Sequence, residues 1–188
     1  MNYMDYHIIV NIIKNSGRHL RKILIKECDY FIEGFPNYTR TVYESCPLIE
    51  YLPLVFPSNF IEFEKLFKNC QKLKVLSIYM IHMDEINEEK LLGYGEKFSK
   101  ALIEFAPKNL RTIEFSEYDF KFSLKTLESL LEGWRGRTAL SVITSDQVYE
   151  KEEYMEIINK YKNDGVIIDF KCHPRCDHFY FFNREMMM

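Results

Sequence analysis

Near its C-terminal end the chain reads KCHPRCDHF, and Cys172, His173, Cys176 and His178 are all residue types that ligate zinc. Structural zinc sites draw two ligand pairs from either side of a longer loop, so that four donors can close a tetrahedron. Here all four donors fall in seven consecutive residues with Pro174 stiffening the middle. One tetrahedral site from so short a run would be strained, so this stretch is read as a tail with reduced thiols and no metal is expected. The sequence EGWRGR sets Trp134 beside Arg135 and Arg137, a pairing that could stack a base and contact phosphate. A helix-ending packing residue explains Trp134 equally well and is the reading adopted. The GYG at 93–95 lacks the third glycine and the preceding strand of a dinucleotide loop. No H-E-x-x-H, Walker or G-x-S-x-G pattern occurs. The residues therefore predict no catalytic site and no cofactor.

Composition narrows the class without naming a reaction. In 188 residues, 47% are hydrophobic, 15% aromatic and 28% charged, an ordinary balance for a folded domain with a substantial core. The net charge of −3 gives no electrostatic reason to expect nucleic acid or a membrane as partner. The apolar run at 8–13 is short and broken by Asn11, so neither a membrane span nor a targeting peptide is read. Five cysteines, an odd number without a secretory signal, predict reduced thiols and a cytoplasmic or nuclear location. Cys28, Cys46 and Cys70 flank apolar runs and are expected to be buried structural thiols.

What must position any functional residue is a repeat. Leu73, Leu76 and Ile78 are spaced three and then two apart, and the same spacing recurs at Leu20, Ile23, Ile25; at Ile49, Leu52, Leu54; and at Leu110, Ile113, Phe115. The last two positions of each set alternate as in a strand, and the first lies where the chain enters it. Helical stripes precede them, for example Phe60, Phe63, Leu66 and Phe67, and a tight turn such as Cys46-Pro47, Cys70-Gln71 or Ala106-Pro107 lies between helix and strand. The first anchors stand at 20, 49, 73 and 110, so the steps are 29, 24 and 37 residues. Units of about 20–29 residues with one strand and one helix are leucine-rich repeats, and the third step carries an insertion. Further on, Ser123 caps a helix striped by Leu124, Leu127, Leu130 and Leu131, and Leu140 and Val142 mark a strand. Tyr154, Ile157, Ile158 and Tyr161 stripe a last helix closed by Gly165, and Val166, Ile168 and Phe170 alternate as a final strand. The expected fold is an α/β leucine-rich-repeat solenoid of about five or six irregular units. Short parallel strands form its concave side and helices its convex side. The repeats span 1–171 as one domain, with 172–188 as a tail.

The Cys-Pro start of a repeat, followed by LESLLEGWRGR and then YMEIINKYKNDGVI, resembles the C-terminal repeats of F-box/leucine-rich-repeat proteins of the fungal type, over roughly residues 8 to 171. The 19 residues before Leu20 hold no F-box-like run, so the likeness is to the repeat region alone. The resemblance implies a substrate receptor of an SCF-type ubiquitin ligase, which would meet the ligase adaptor only if an F-box is supplied elsewhere. At the turn position where the repeat consensus wants Asn or Cys, Cys28 fits while Pro57, Ile81 and Tyr118 do not, which predicts an irregular solenoid.

Side chains alternate along a strand, so the residues between the anchors must point away from the helices. They form three expected columns on the concave face: Lys22, Tyr51, Val75 and Thr112; Leu24, Pro53, Ser77 and Glu114; Lys26, Val55, Tyr79 and Ser116. Solenoids commonly bind along that surface. Tyrosine and aliphatic side chains among scattered charges suit a protein partner. The sequence therefore predicts non-catalytic protein recognition, with a free-standing repeat scaffold or adaptor unconnected to a ligase as the alternative.

Overall fold

A computed structural model of the chain describes residues 6–24, 35–55, 60–79, 87–116 and 121–172. Helix α1 (Tyr6–Ser16) is followed by a short 3-10 turn, then α2 (Phe35–Ser45), β1 (Tyr51–Val55), α3 (Ile61–Asn69), β2 (Val75–Tyr79) and α4 (Glu88–Phe105). Strand β3 (Thr112–Ser116), α5 (Leu124–Gly133), β4 (Leu140–Thr144), α6 (Glu152–Asn163) and β5 (Ile167–Cys172) complete the order. All neighbouring strands are parallel and lie in sequence order, β1 to β5. The helices run in single file, each packed on the next from α1 to α6. A strand–helix–strand crossover has a fixed right hand, so an unreversed strand order puts every helix on one face of the sheet.

The repeated spacing acts as one recurring turn. The backbone N–H of each first anchor donates three residues back: Leu20 to Gly17, Ile49 to Cys46, Leu73 to Cys70 and Leu110 to Pro107, at 3.0 to 3.2 Å. The next carbonyl then joins neighbouring units. Arg21 O accepts from the N–H groups of Glu50 and Tyr51, Glu50 O from Lys74 and Val75, and Lys74 O from Arg111 and Thr112. Above these carbonyls Glu50 is gripped on both sides, by Arg21 at 2.7 Å and Lys74 at 2.7 Å. Hydrogen bonds from those two cations hold its carboxyl below the usual range.

The anchors point into one core. Ile49, Leu52, Leu54, Leu73, Leu76, Ile78, Leu110, Ile113 and Phe115 are buried, together with Cys46 and Cys70 as expected. Aromatic rings run through it from Phe63 to Phe98 to Phe115 to Phe122, with centroids 5.2 to 6.0 Å apart. The long third step is taken up by α4, which has 18 residues against nine in α3. Ser123 caps α5 by accepting from Thr126 N–H, and Gly165 has φ 72° after α6, both as the sequence indicates. The glycines of GYG lie inside α4, not in a loop.

Two expectations need correction. The first repeat, read as a full strand through Ile23 and Ile25, shows within the described residues only an isolated bridge from Lys22 to Tyr51. In the last strand Ile168 does not point inward beside Val166 and Phe170; it is 61% exposed. The register slips there, Leu140 facing Ile167 and Ser141 facing Asp169, so the extra residue Ile168 is turned out. Cys28, Pro57, Ile81 and Tyr118 lie outside the described residues, as does the expected tail beyond Cys172.

Candidate functional site

The strand face that carries no helix is the candidate surface, and the register assembles its columns. Lys22 bridges Tyr51, and Tyr51, Val75, Thr112, Ser141 and Asp169 follow one another across the five strands. Pro53, Ser77, Glu114, Ile143 and Lys171 form the second column. Val55, Tyr79 and Ser116 hold the register positions of the third. Lys26 lies outside the described residues, and no pairing joins Leu24 to Pro53.

Depth on this face is uneven. Tyr51, Ser77 and Glu114 were expected to offer surface to a partner, but they are 6%, 1% and 3% exposed. Side chains from neighbouring strands only about 4.8 Å apart converge on a concave face, so a short side chain such as Ser77 lies beneath its larger neighbours. Val75, Tyr79 and Thr112 are half-buried, while Lys22 and Leu24 are exposed. Ser141, Ile143, Asp169 and Lys171 extend the face and were not anticipated. The alternation that places Leu140 and Val142 inward already turns Ser141 and Ile143 outward. The register slip concealed Asp169 and Lys171, which pair at 3.0 Å.

At the centre, Glu114 faces Ser77 across the β2–β3 ladder and shares a hydrogen bond with it. Burial pushes the Glu114 carboxyl up to about 8, the bond from Ser77 offsetting only part of the rise. No second titratable group contributes to that shift.

The other candidate chemistry resolves into structure. Trp134 is buried and donates from Nε1 to Thr138 O at 2.9 Å. Arg137 lies over its ring at 4.8 Å and donates to the carbonyls of Ile103 and Ala106 at the end of α4. Arg135 reaches Glu132 and Asp164. Desolvation raises the Cys46 thiol to about 11 and the Cys70 thiol to about 12, far from a reactive thiolate. Cys172 Sγ lies 3.2 Å from Asp146 O, while His173, Cys176 and His178 are outside the described residues. Among the described residues no group of three or more His, Cys, Asp or Glu is arranged to hold a metal, and no helix is long and apolar enough to cross a membrane.

No family model and no curated protein matches the chain. Among solved structures it is similar to a tropomodulin C-terminal domain from Caenorhabditis elegans, with a TM-score of 0.51 over 86% of this chain and 95% of that one, at 10% identity. The fold is a leucine-rich-repeat solenoid. Within it the strands form the concave side and the helices the convex side, so the columns through Thr112 and Ile143 run along its inner surface.

Proposed function

We propose that this chain is a non-catalytic protein-recognition module that holds its partner along the concave face, on the open side chains around the buried Tyr51–Ser77–Glu114 floor. The observation that carries the reading is the one-sided packing of the sheet. Parallel strands are ordinarily covered on both faces, yet here every described helix lies on one side. Tyr79, Thr112, Ile143 and Lys171 then offer aromatic, aliphatic and charged groups in one place, the mixture that interface cores and rims use. Ser77 and Glu114, the one polar pair at the centre of the floor, are closed off from water and so from a substrate, which supports binding by the surrounding side chains over catalysis.

The finer reading, target binding for an SCF-type ubiquitin ligase, rests on the sequence resemblance to F-box/leucine-rich-repeat proteins. Photocrosslinking residues placed at Thr112, Ile143 and Lys171, with Ser129 on α5 as the convex control, test both levels. Capture of one protein from the three concave positions and not from Ser129 is expected. Equal capture from Ser129 would remove the concave face as the binding surface. Ligase adaptor and cullin subunits in the same eluate would support the ligase reading; a partner without them would leave a free-standing adaptor.

A further inference from the structure

The two edges of the sheet differ in charge. Each helix closes at the turn that leads into the next strand, so helix beginnings lie along the opposite edge. Acids gather at those beginnings: Glu62 and Glu64 in the first turn of α3, Glu88 and Glu89 in that of α4, Glu152 and Glu153 in that of α6. The turns into β2 and β3 carry the other sign. Lys72 and Lys74 lie in one, Lys108 and Arg111 in the other, and neither 70–74 nor 107–111 holds Asp or Glu. The acids nearest along the chain are Glu64, paired with Lys68, Glu104 in the last turn of α4, and the buried Glu114.

These two turns are stacked into one edge. Asn109 donates from its side-chain amide to Gln71 O at 2.8 Å, and Lys74 O accepts from the N–H groups of Arg111 and Thr112. Lys72, Lys108 and Arg111 are exposed and Lys74 is half-buried. Cations at such a place often serve the last carbonyls of a helix, but those are already served. Gln71 donates to Phe67 O at the end of α3, and Arg137 to Ile103 O and Ala106 O at the end of α4. Lys74 shares Glu50 with Arg21, while among the described residues Lys72, Lys108 and Arg111 meet no carboxylate. Neighbouring strands lie about 4.8 Å apart, so successive carboxylates of one peptide can reach cations on both turns. Neither turn contains an aromatic residue, so a nucleic-acid base would find no stacking platform there.

We infer that the turn edge at Lys72, Lys74, Lys108 and Arg111 is a docking site for a glutamate- and aspartate-rich peptide segment of a partner protein. The test titrates the full chain into a fluorescent octapeptide of glutamate and glycine, with its lysine–glycine counterpart as control, followed by anisotropy. Saturable binding of the acidic peptide is expected, weakened about fivefold or more by Lys72→Glu with Arg111→Glu. Lys90→Glu with Lys125→Glu alters net charge equally at exposed positions in the first turns of α4 and α5, and should leave binding unchanged. If the first pair disturbs the fold, Lys72→Gln with Arg111→Gln replaces it and should still weaken binding. Absence of saturable binding, or equal loss in the two charge-reversed variants, overturns the inference. So does an RNA oligonucleotide that binds more tightly than the peptide, or self-association of the chain that the Lys72/Arg111 variant abolishes. Crosslinking from Ile143 reports on the concave face alone, so either surface can fail its test without the other.

Discussion

Ser77 and Glu114 stand opposite each other on adjacent parallel strands, hydroxyl bonded to carboxyl, both closed off from water at the centre of the concave face. A carboxyl in such a place is more comfortable protonated. Its folded-state pKa, about 8, lies above the ordinary 4.5, so the stabilisation from its neutral form is complete below about pH 4.5 and is lost as pH rises through about 8. Glu114→Gln should match the wild type near pH 4.5 and exceed it at pH 9 by on the order of a few kcal/mol. Urea unfolding of both proteins at pH 4.5, 7 and 9 gives the comparison, and parallel curves would mean the carboxyl is not buried in solution.

The guanidinium of Arg137 closes the end of α4 with two hydrogen bonds and covers Trp134. Arg137→Ala should cost about 1–3 kcal/mol, because buried carbonyls lose their donors. Arg137→Lys should recover little, since an ammonium cannot span both carbonyls and lie flat on the indole. Denaturant midpoints of the two variants decide this, and full rescue by lysine would leave only a charge effect.

Gly93 and Gly95 share one helix and should respond oppositely to alanine. A Cβ on Gly93 meets nothing within 4 Å, so Gly93→Ala should stabilise by up to about 1 kcal/mol through helix propensity. A Cβ on Gly95 would fall 2.6 Å from the carbonyl oxygen of Lys121, and Gly95→Ala should destabilise by roughly 1–3 kcal/mol. Thermal melts moving in the same direction would contradict the packing of α4 under that carbonyl.

Cys46 and Cys70 are fully buried, with thiols raised to about 11 and about 12 by desolvation. Both should resist iodoacetamide at pH 8 in the folded protein and react once it unfolds. Peptide mapping after a short native pulse shows which occurs, and labelling of either cysteine in that pulse would mean the repeat turns open readily.

The sequence made the repeat legible because the anchors do one physical job at each turn. Ile49, Leu73 and Leu110 each bury a side chain and donate the same three-residue hydrogen bond, so their spacing is constrained. Alternation also assigned Thr112, Ser77 and Glu114 to the correct face, but it carries no information about depth. Burial of Ser77 and Glu114 depends on what neighbouring strands place around them. Ile168 escaped for a related reason. A one-residue slip between β4 and β5 leaves the local pattern apolar while reversing the direction of one side chain. Ile8 and Ile12 of α1 likewise read like Ile9 and Ile13, yet about half of each is exposed, which the local apolar pattern does not reveal.

The single-file order of the helices has a mechanical consequence. Each unit is held only by the units before and after it, so tension on the ends is resisted by one interface at a time rather than by the whole core. Such a chain yields like a coil spring, unit by unit from an end. The first unit to go is the one at α1, which has a single neighbour among the described residues and is joined to the sheet by one isolated bridge. Pulling from the C-terminal side would meet the firmer β4–β5 ladder first.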